Sequence, residues 1–566
     1  MPFRAPAADH RFILDHVVDF AAVAATDRFA EATPDTVAAI LTEAAKMCDD
    51  VLAPLNRNGD RHPARLENGV VRASPGYAEG YHAIASGGWI GLAANPEHGG
   101  MGLPMALNTA VNEMMSGACL ALQLKPLLSQ GQIEALDHHA SDALKTLYLP
   151  KLISGEWSGT MNLTEPQAGS DVGALRSKAE PQGDGTYAVT GQKIYITWGD
   201  SDITANVCHL VLARLPDAAP GTRGISLFMV PKYLPDAAGN PGQANSLRVV
   251  SLEHKLGIHG SPTCVMQFDG ATGWLVGEPH KGMAAMFTMM NNARLGVGAQ
   301  GVGVAEAALQ KAVAYAQERV QGATGVAEAG IIGHADVRRM LAEARAEVFA
   351  ARSIAAACAV AIDMAQATGD AAWAARAGLL TPIAKAYGTD TGIKVADIGV
   401  QVHGGMGFIE ETGAAQFLRD ARITAIYEGT NGIQAMDLVG RKLMDGGEAA
   451  FRLIGEIEAT AKAARDALPD LAEEVWSAAE TLREATEALL AQPLPDRFAG
   501  AVSYLRAFAL VLGAGFHLRA AQADGPRTGL ARVMVHRLLP DHAPLLARAR
   551  TGAADLYAIP AEALAG

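Results

Sequence analysis

Gln401-Val-His-Gly-Gly-Met-Gly-Phe408, then Leu418-Arg-Asp-Ala-Arg-Ile423, then Tyr427-Glu-Gly-Thr-Asn431 are the stretches on which the reading of this chain turns. The glycines Gly404, Gly405 and Gly407 interrupt a helical run and leave backbone that a ligand can approach with no Cβ in the way. A short amphipathic segment follows, with Phe417, Leu418, Ala421 and Ile423 on one side and Arg419, Asp420 and Arg422 available to pair. Glu428 stands just before Gly429, between apolar Ile426 and a helix expected to begin near Thr430 and Asn431. A carboxylate on such a turn can be pressed into a poorly solvated pocket. Loss of water disfavours the charged form and lifts the pKa from about 4.3 toward the range of a useful base. Taken alone, Glu428 reads as a solvated turn acid.

Upstream, helical periodicity runs from Lys281. Val304, Ala308, Leu309, Ala312, Val313 and Ala316 stripe one face, and Val337, Met340, Leu341, Ala344, Val348, Ala351 and Ala355 stripe a very long helix. Residues 380–402 supply another, so 281–445 is expected to be a bundle of four-helix type. Gly296-x-Gly298 and Gly301-x-Gly303 fall inside this pattern, where close helix packing explains them better than a dinucleotide fingerprint. Residues 156–280 change period. Apolar runs at 157–163, 187–189, 192–197, 207–215, 226–230 and 265–268 are separated by turn residues and read as a small β-barrel-like or sandwich domain.

Before it, 35–155 reads as an N-terminal helical domain. Pro54 is expected to stop its first helix, 56–76 to be loop, and further helices to cover 108–121 and 130–148. Residues 1–34 are an arm with short helical pieces. After a linker near Met444-Asp-Gly-Gly, 446–566 forms an additional helical domain without a chemical motif. The fold class is therefore mainly α with a central β-domain.

Composition narrows the function. The chain has 566 residues and is 49% hydrophobic but only 5% aromatic, which suits alanine-rich helices in close contact. A net charge of −14 recommends neither nucleic acid nor an anionic membrane surface as a partner. The five cysteines, Cys48, Cys119, Cys208, Cys264 and Cys358, are scattered, which argues for a reducing compartment and against disulfides or structural zinc. The N-terminus lacks a secretory layout, and the apolar run 344–367 is interrupted by Arg345, Glu347, Arg352 and Asp363. A cytoplasmic protein with no membrane insertion is expected, and no metal site.

The three C-terminal stretches, with Met161-Asn-Leu-Thr-Glu-Pro-Gln-Ala-Gly-Ser-Asp171, Gly191-Gln-Lys-Ile-Tyr-Ile-Thr-Trp-Gly199 and the segment 294–320, together resemble the acyl-CoA dehydrogenase family over residues 35–445. The opening Phe3-Arg-Ala-Pro with Asp9 and Phe12, Gly260-Ser-Pro-Thr-Cys264 and the long C-terminal region are similar to a long bacterial branch that includes 3-methylmercaptopropionyl-CoA dehydrogenases. The resemblance implies α,β-dehydrogenation of an acyl-CoA thioester, 3-methylmercaptopropionyl or a short- to long-chain acyl group, with Glu428 as the base.

It also implies FAD as cofactor. Leu163 and Thr164 would meet the flavin through backbone amides, Tyr195 and Thr197 would line it from one face of a strand, and Thr430 would adjoin it. Trp198 stands where the family more often has asparagine. Arg319 and Gln321, at a helix end, and Gln401 and Gly405, in the glycine cluster, match positions on the adenine dinucleotide half of a flavin shared between subunits, which implies a homo-oligomer, a dimer foremost. The chain departs from the family's usual Arg-x-x-Phe by having Gly322. Ser170, Arg294, Tyr427 and Gly429 match the substrate side, although a structural ion pair is an equal reading of Arg294. An electron-transfer flavoprotein is the expected acceptor. An acyl-CoA oxidase using oxygen, or a non-catalytic helical assembly protein, are the rival readings.

Overall fold

The computed structural model describes residues 2–327 and 329–565. They fall into two compact units. One gathers the chain up to Thr42, Pro104–Gly117 and the residues from Arg294 onward; the other gathers Glu43–Leu103 and Ala118–Ala293.

The first unit is helical, and its core is set by small residues. The long helices Gly282–Glu318, whose part from Arg294 belongs here, Ala335–Thr368 and Ala371–His403 carry alanine and glycine on their inner faces. A Cβ on Gly301 would stand 2.3 Å from the Gly388 carbonyl oxygen, and one on Gly298 would stand 2.7 Å from that of Ala384. Gly388 and Gly392 return the contact, since a Cβ on either would stand within 2.7 Å of the carbonyl oxygen of Gly298 or Gly301. Of the paired glycines read from the sequence as helix-packing residues, Gly298, Gly301 and Gly303 are in helix-packing positions. Gly369, at φ 68°, closes Ala335–Thr368, and Asp370 caps the next helix by accepting from the Ala372 amide at 2.8 Å.

The charges that interrupt the apolar run of Ala335–Thr368 are buried and partnered. Arg352, 1% exposed, donates to Glu113 at 2.7 Å and to Glu306 at 2.9 Å. Arg345 also reaches Glu306, Glu347 meets Lys394 at 2.6 Å, and Asp363 accepts from the amides of Met105 and Ala106. Ala335–Thr368 and Leu494–Ala523 are long and apolar enough to cross a bilayer, but 89% and 72% of their apolar windows are buried within the protein, as in core helices. The helices after residue 446 lie on the bundle, with His517 bonded to the Ala346 carbonyl at 3.0 Å. The arm contributes helices Ala7–His16 and Phe20–Ala24, and Arg527 sits 3.7 Å over the Phe12 ring.

The second unit is built on a seven-stranded sheet: β1 (Trp157–Asn162), β2 (Lys178–Pro181), β3 (Tyr187–Thr197), β4 (Asn206–Arg214), β5 (Ile225–Pro231), β6 (Leu247–Leu252) and β7 (Thr263–Val276). The order is β6-β7-β3-β2-β4-β1, with β5 antiparallel to both β4 and β7. It is not a closed barrel, because β2 and β4 share the single register pair Lys178–Arg214. β4 and β5 are buried along almost their whole length, which accounts for their unbroken apolar runs. Val189, Ile196, Val211, Phe228, Val230, Met266 and Phe268 form the core.

Several local expectations need correction. Pro54 does not end a helix. A π-turn at Cys48–Leu52 leads from Pro34–Met47 into Ala53–Arg61, and Pro54 sits in the first turn of the latter, where its missing N–H costs nothing. Residues 56–76 are not all loop. Arg65–Glu67 and Val70–Arg72 pair as a hairpin around Asn68-Gly69, both left-handed at φ 51° and 77°, a two-residue turn whose Asn-Gly signal was present in the sequence. The helices expected at 108–121 and 130–148 are instead Met105–His139, kinked at Cys119, and Asp142–Ile153. The runs 187–189 and 192–197 are one strand, β3, carried through Gly191 at φ 152°.

The glycine contacts give a direct test. Gly301→Ala should destabilise the protein by about 1–3 kcal/mol through overpacking against backbone that cannot move aside. Gly529→Ala, where a Cβ would meet nothing within 4 Å, should be neutral or stabilise the short helix Thr528–Val533 by about 0.5–1 kcal/mol. Urea unfolding midpoints distinguish the two; equal midpoints would contradict the packing described.

Candidate active site

Glu428 lies on a strained turn. Its backbone is left-handed at φ 55°, where a side chain costs about 1–2 kcal/mol, and Gly429 follows at φ 85°. The turn is held from behind. The Gln434 amide donates to the carbonyl of Glu428 at 3.3 Å, and Thr430 caps Asn431–Asp437 by accepting from the Ile433 amide at 3.3 Å. On the other side the Tyr427 hydroxyl donates to Gln300 Oε1. Burial and the neighbouring Glu428 charge push the Tyr427 phenol well above its usual pKa, so it stays neutral. The turn thus fixes a carboxylate in one place at a cost in backbone strain.

That carboxylate is poorly solvated. Burial pushes Glu428 up to about 7, with Arg294 and Lys385 opposing the rise. Arg294 is 6% exposed and its guanidinium lies 3.9 Å from Asp437. Burial lowers its pKa while Asp437 and Glu428 raise it, so Arg294 is both an ion-pair partner of Asp437 and a neighbour of Glu428. Lys385 is fully buried and donates to Asn431 Oδ1 at 2.9 Å. The Asn431 amide group in turn donates to Asp390 at 2.7 Å and to Thr389 at 3.0 Å.

Arg294, Tyr427, Glu428, Gly429 and Thr430 are thereby gathered in the helical unit. Arg319, Gln321, Gln401 and Gly405 are in the same unit, all exposed. Tyr315, one turn before Arg319, stacks on His403 with ring centroids 4.4 Å apart, which brings that helix end beside the Gln401–Gly405 turn. Gln321 gives its carbonyl to His334 at 2.7 Å.

Leu163, Thr164, Ser170, Tyr195 and Thr197 belong to the other unit. Leu163 and Thr164 follow the end of β1 and are half-buried. The Ile194 amide donates to the Thr164 carbonyl at 2.9 Å, which sets them beside β3. Tyr195 is left-handed at φ 61° and 60% exposed, within a bulge that shifts the β3–β7 register between Lys193 and Ile196. The strict alternation read for Tyr195 and Thr197 is interrupted there. An exposed aromatic ring next to a half-buried backbone edge and a threonine hydroxyl is a donor set that fits a flavin. Trp198 is buried and donates to the Ala121 carbonyl at 3.1 Å. Ser170 is exposed in a bend.

Sequence reading missed the groups that hold these residues. Lys193, fully buried, donates to the Leu163 carbonyl at 3.1 Å and to Glu165 at 2.8 Å. Burial would raise the Glu165 pKa, but Lys193 and hydrogen bonds from Ser177 and the Arg176 amide hold it down to about 2. Lys385, Asn431 and Gln300 were also passed over. The available signal was a single lysine inside an apolar stripe at 379–386.

Models of the acyl-CoA dehydrogenase N-terminal, middle and C-terminal domains match residues 34–156, 160–271 and 280–444. A model described as acetyl-CoA dehydrogenase C-terminal like matches 453–560. The chain is similar to 3-methylmercaptopropionyl-CoA dehydrogenase of Ruegeria pomeroyi, with 49% identity over 81% of this chain and 80% of that one. It is 36% identical to a butyryl-CoA dehydrogenase of Syntrophomonas wolfei over 75% and 73% of the two chains. The solved structure of Caenorhabditis elegans ACDH-11 in complex with C11-CoA shares the fold, at 19% identity and a TM-score of 0.77 over 95% of this chain and 92% of that one. The chain belongs to the acyl-CoA dehydrogenase family, and it is an oxidoreductase acting on acyl-CoA.

Lys193→Met would leave the Glu165 carboxylate buried without its cation. Such one-sided removals cost about 3–5 kcal/mol, so the sheet unit should unfold at a clearly lower urea concentration. An unchanged midpoint would show that the pair contributes nothing.

Proposed function

We propose that this enzyme is an FAD-dependent acyl-CoA dehydrogenase in which Glu428 removes the α-proton of the thioester. The observation that carries the reading is the desolvated Glu428 carboxylate, raised to about 7 on a turn its neighbours immobilise. A thioester α-proton is far too weakly acidic for a carboxylate in water. A poorly hydrated site brings base and acid closer in strength, and the immobilised turn removes the cost of orienting the base. The Glu428 backbone amide is available to donate to a thioester oxygen as charge develops there. Arg294, a buried cation beside the base, favours its ionised form in readiness for the proton.

FAD, when bound, supplies the acceptor for the hydride that leaves the β-carbon. In this reading Leu163, Thr164, Tyr195, Thr197 and Thr430 hold the flavin, and Arg319, Gln321, Gln401 and Gly405 hold the adenine dinucleotide half across a subunit boundary. The protein is then a homo-oligomer, most simply a dimer. Ser170, Tyr427 and Gly429 attend the substrate. The acyl group is 3-methylmercaptopropionyl or a short- to long-chain acyl chain, supported by the names of the curated relatives, and an electron-transfer flavoprotein takes the electrons.

Glu428→Gln tests the base. The amide preserves shape, so folding and FAD content should be unchanged, while flavin bleaching by a good acyl-CoA should fall by about 10²–10⁴-fold or more. Bleaching at near wild-type rate would remove Glu428 from the mechanism. Arg319→Ala should weaken FAD retention and subunit association together, read by gel filtration with flavin absorbance. A stable oligomer with ordinary FAD affinity would make Arg319 a surface cation only. Peroxide release in place of reduction of an electron-transfer flavoprotein would identify an oxidase.

A further inference from the structure

We infer that Lys385 is a positioning residue of the dehydrogenation, an ammonium that Asn431 ties to the catalytic turn and that sets the charge state of Glu428. The inference rests on the reading of Glu428 as the base and adds to it a second cation.

The geometry is specific. Lys385 is 0% exposed in the middle of Ala371–His403, on a helix face it shares with Gly378, Thr381, Pro382, Gly388, Thr389 and Gly392. Burying an ammonium there is costly unless it is hydrogen-bonded and faces opposite charge. Lys385 donates a hydrogen bond to Asn431 Oδ1 at 2.9 Å, and Asn431 opens the helix that begins three residues after Glu428. Asn431 is itself immobilised by Asp390 and Thr389, from the same helix as the lysine. The backbone on which the lysine stands is fixed too, since a Cβ on Gly298 would lie 3.3 Å from Lys385 Cα.

The charged and titratable groups around the base are few. The helix Gly282–Glu318 contributes Arg294, Ala371–His403 contributes Lys385 and Asp390, and the turn itself contributes Tyr427. Asp437 and Arg441 act on Arg294, and Arg506 acts on Asp390. Of these, Arg294 and Lys385 stabilise the Glu428 carboxylate directly. Burial lowers Lys385 to about 8, with Glu428 and Asp390 opposing. Activity rises with pH as Glu428 ionises near 7, and the Lys385 charge holds that rise at lower pH than burial alone would.

The test is the pH profile of flavin bleaching by acyl-CoA in the FAD-loaded enzyme. Lys385→Met should move the acid limb upward by about one unit or more, the size of effect that a close opposite charge has on a carboxylate. Lys385→Arg, which keeps the positive charge, should keep the acid limb near its wild-type position. Asn431→Ala is the second variant, because a methionine in place of a buried lysine can impair folding. With the lysine present but untethered, kcat should fall and the acid limb rise while KM for acyl-CoA changes little. Wild-type profiles in both Lys385→Met and Asn431→Ala would overturn the inference. So would a profile in which Lys385→Arg behaves as Lys385→Met. Glu428→Gln separates the two levels: if it bleaches normally, the reading of the base falls, whereas if it is inactive and the lysine variants titrate as wild type, only the role of Lys385 falls.

Discussion

The backbone contact between Gly298 and Gly301 on one helix and Ala384 and Gly388 on another is the constraint from which the geometry around Glu428 follows. Carbonyl oxygens lie where side chains would otherwise stand, as close as 2.3 Å from a would-be Cβ. Arg294 stands one turn before the first of these glycines, and Lys385 stands within the facing stretch. A larger residue at either glycine would separate the helices and move both cations away from the carboxylate they stabilise. Packing and acid–base chemistry are here one property. The alanine-rich composition that looked like a generic helical signature is what allows so close an approach.

The catalytic turn adds a second layer of fixation. A left-handed glutamate, a glycine that continues the turn, and a threonine cap would be a loose loop on a surface. Gln434 and Gln300 hold it in place from two sides through its backbone and through Tyr427. The Glu428 carboxylate is thus held in one orientation, with its charge state balanced between burial and two cations. The same economy appears in the sheet unit, where Lys193 holds the Leu163 carbonyl and Glu165 together.

How much of this was legible depended on whether the signal was local. Glu428 was readable because the residues around it form a dense pattern, and the bundle was readable because helical period persists over long spans. The hairpin at Asn68-Gly69 was local as well and should have been read. Lys385 and Lys193 were not legible, since a single lysine in an apolar run carries no mark of which distant carboxylate or carbonyl it will meet. Asn431 was seen only as a helix start, because its bonds to Lys385 and Asp390 join residues more than 40 positions apart in the chain. The bulge at Tyr195 escaped notice for a related reason: it is set by the register of β7 against β3, not by the composition of β3. Pro54 misled because a proline stops a helix only when its position needs the N–H.

The central claim is that Glu428 takes the α-proton in a step coupled to flavin reduction. The most direct measurement is anaerobic stopped-flow bleaching of the FAD-loaded enzyme with an acyl-CoA deuterated at the α-carbon, followed from about pH 6 to 9, above the ordinary carboxylate range. The account expects a primary isotope effect and a rate that climbs with the ionisation of Glu428 near 7. A bleaching rate indifferent both to α-deuterium and to pH through that range would contradict it.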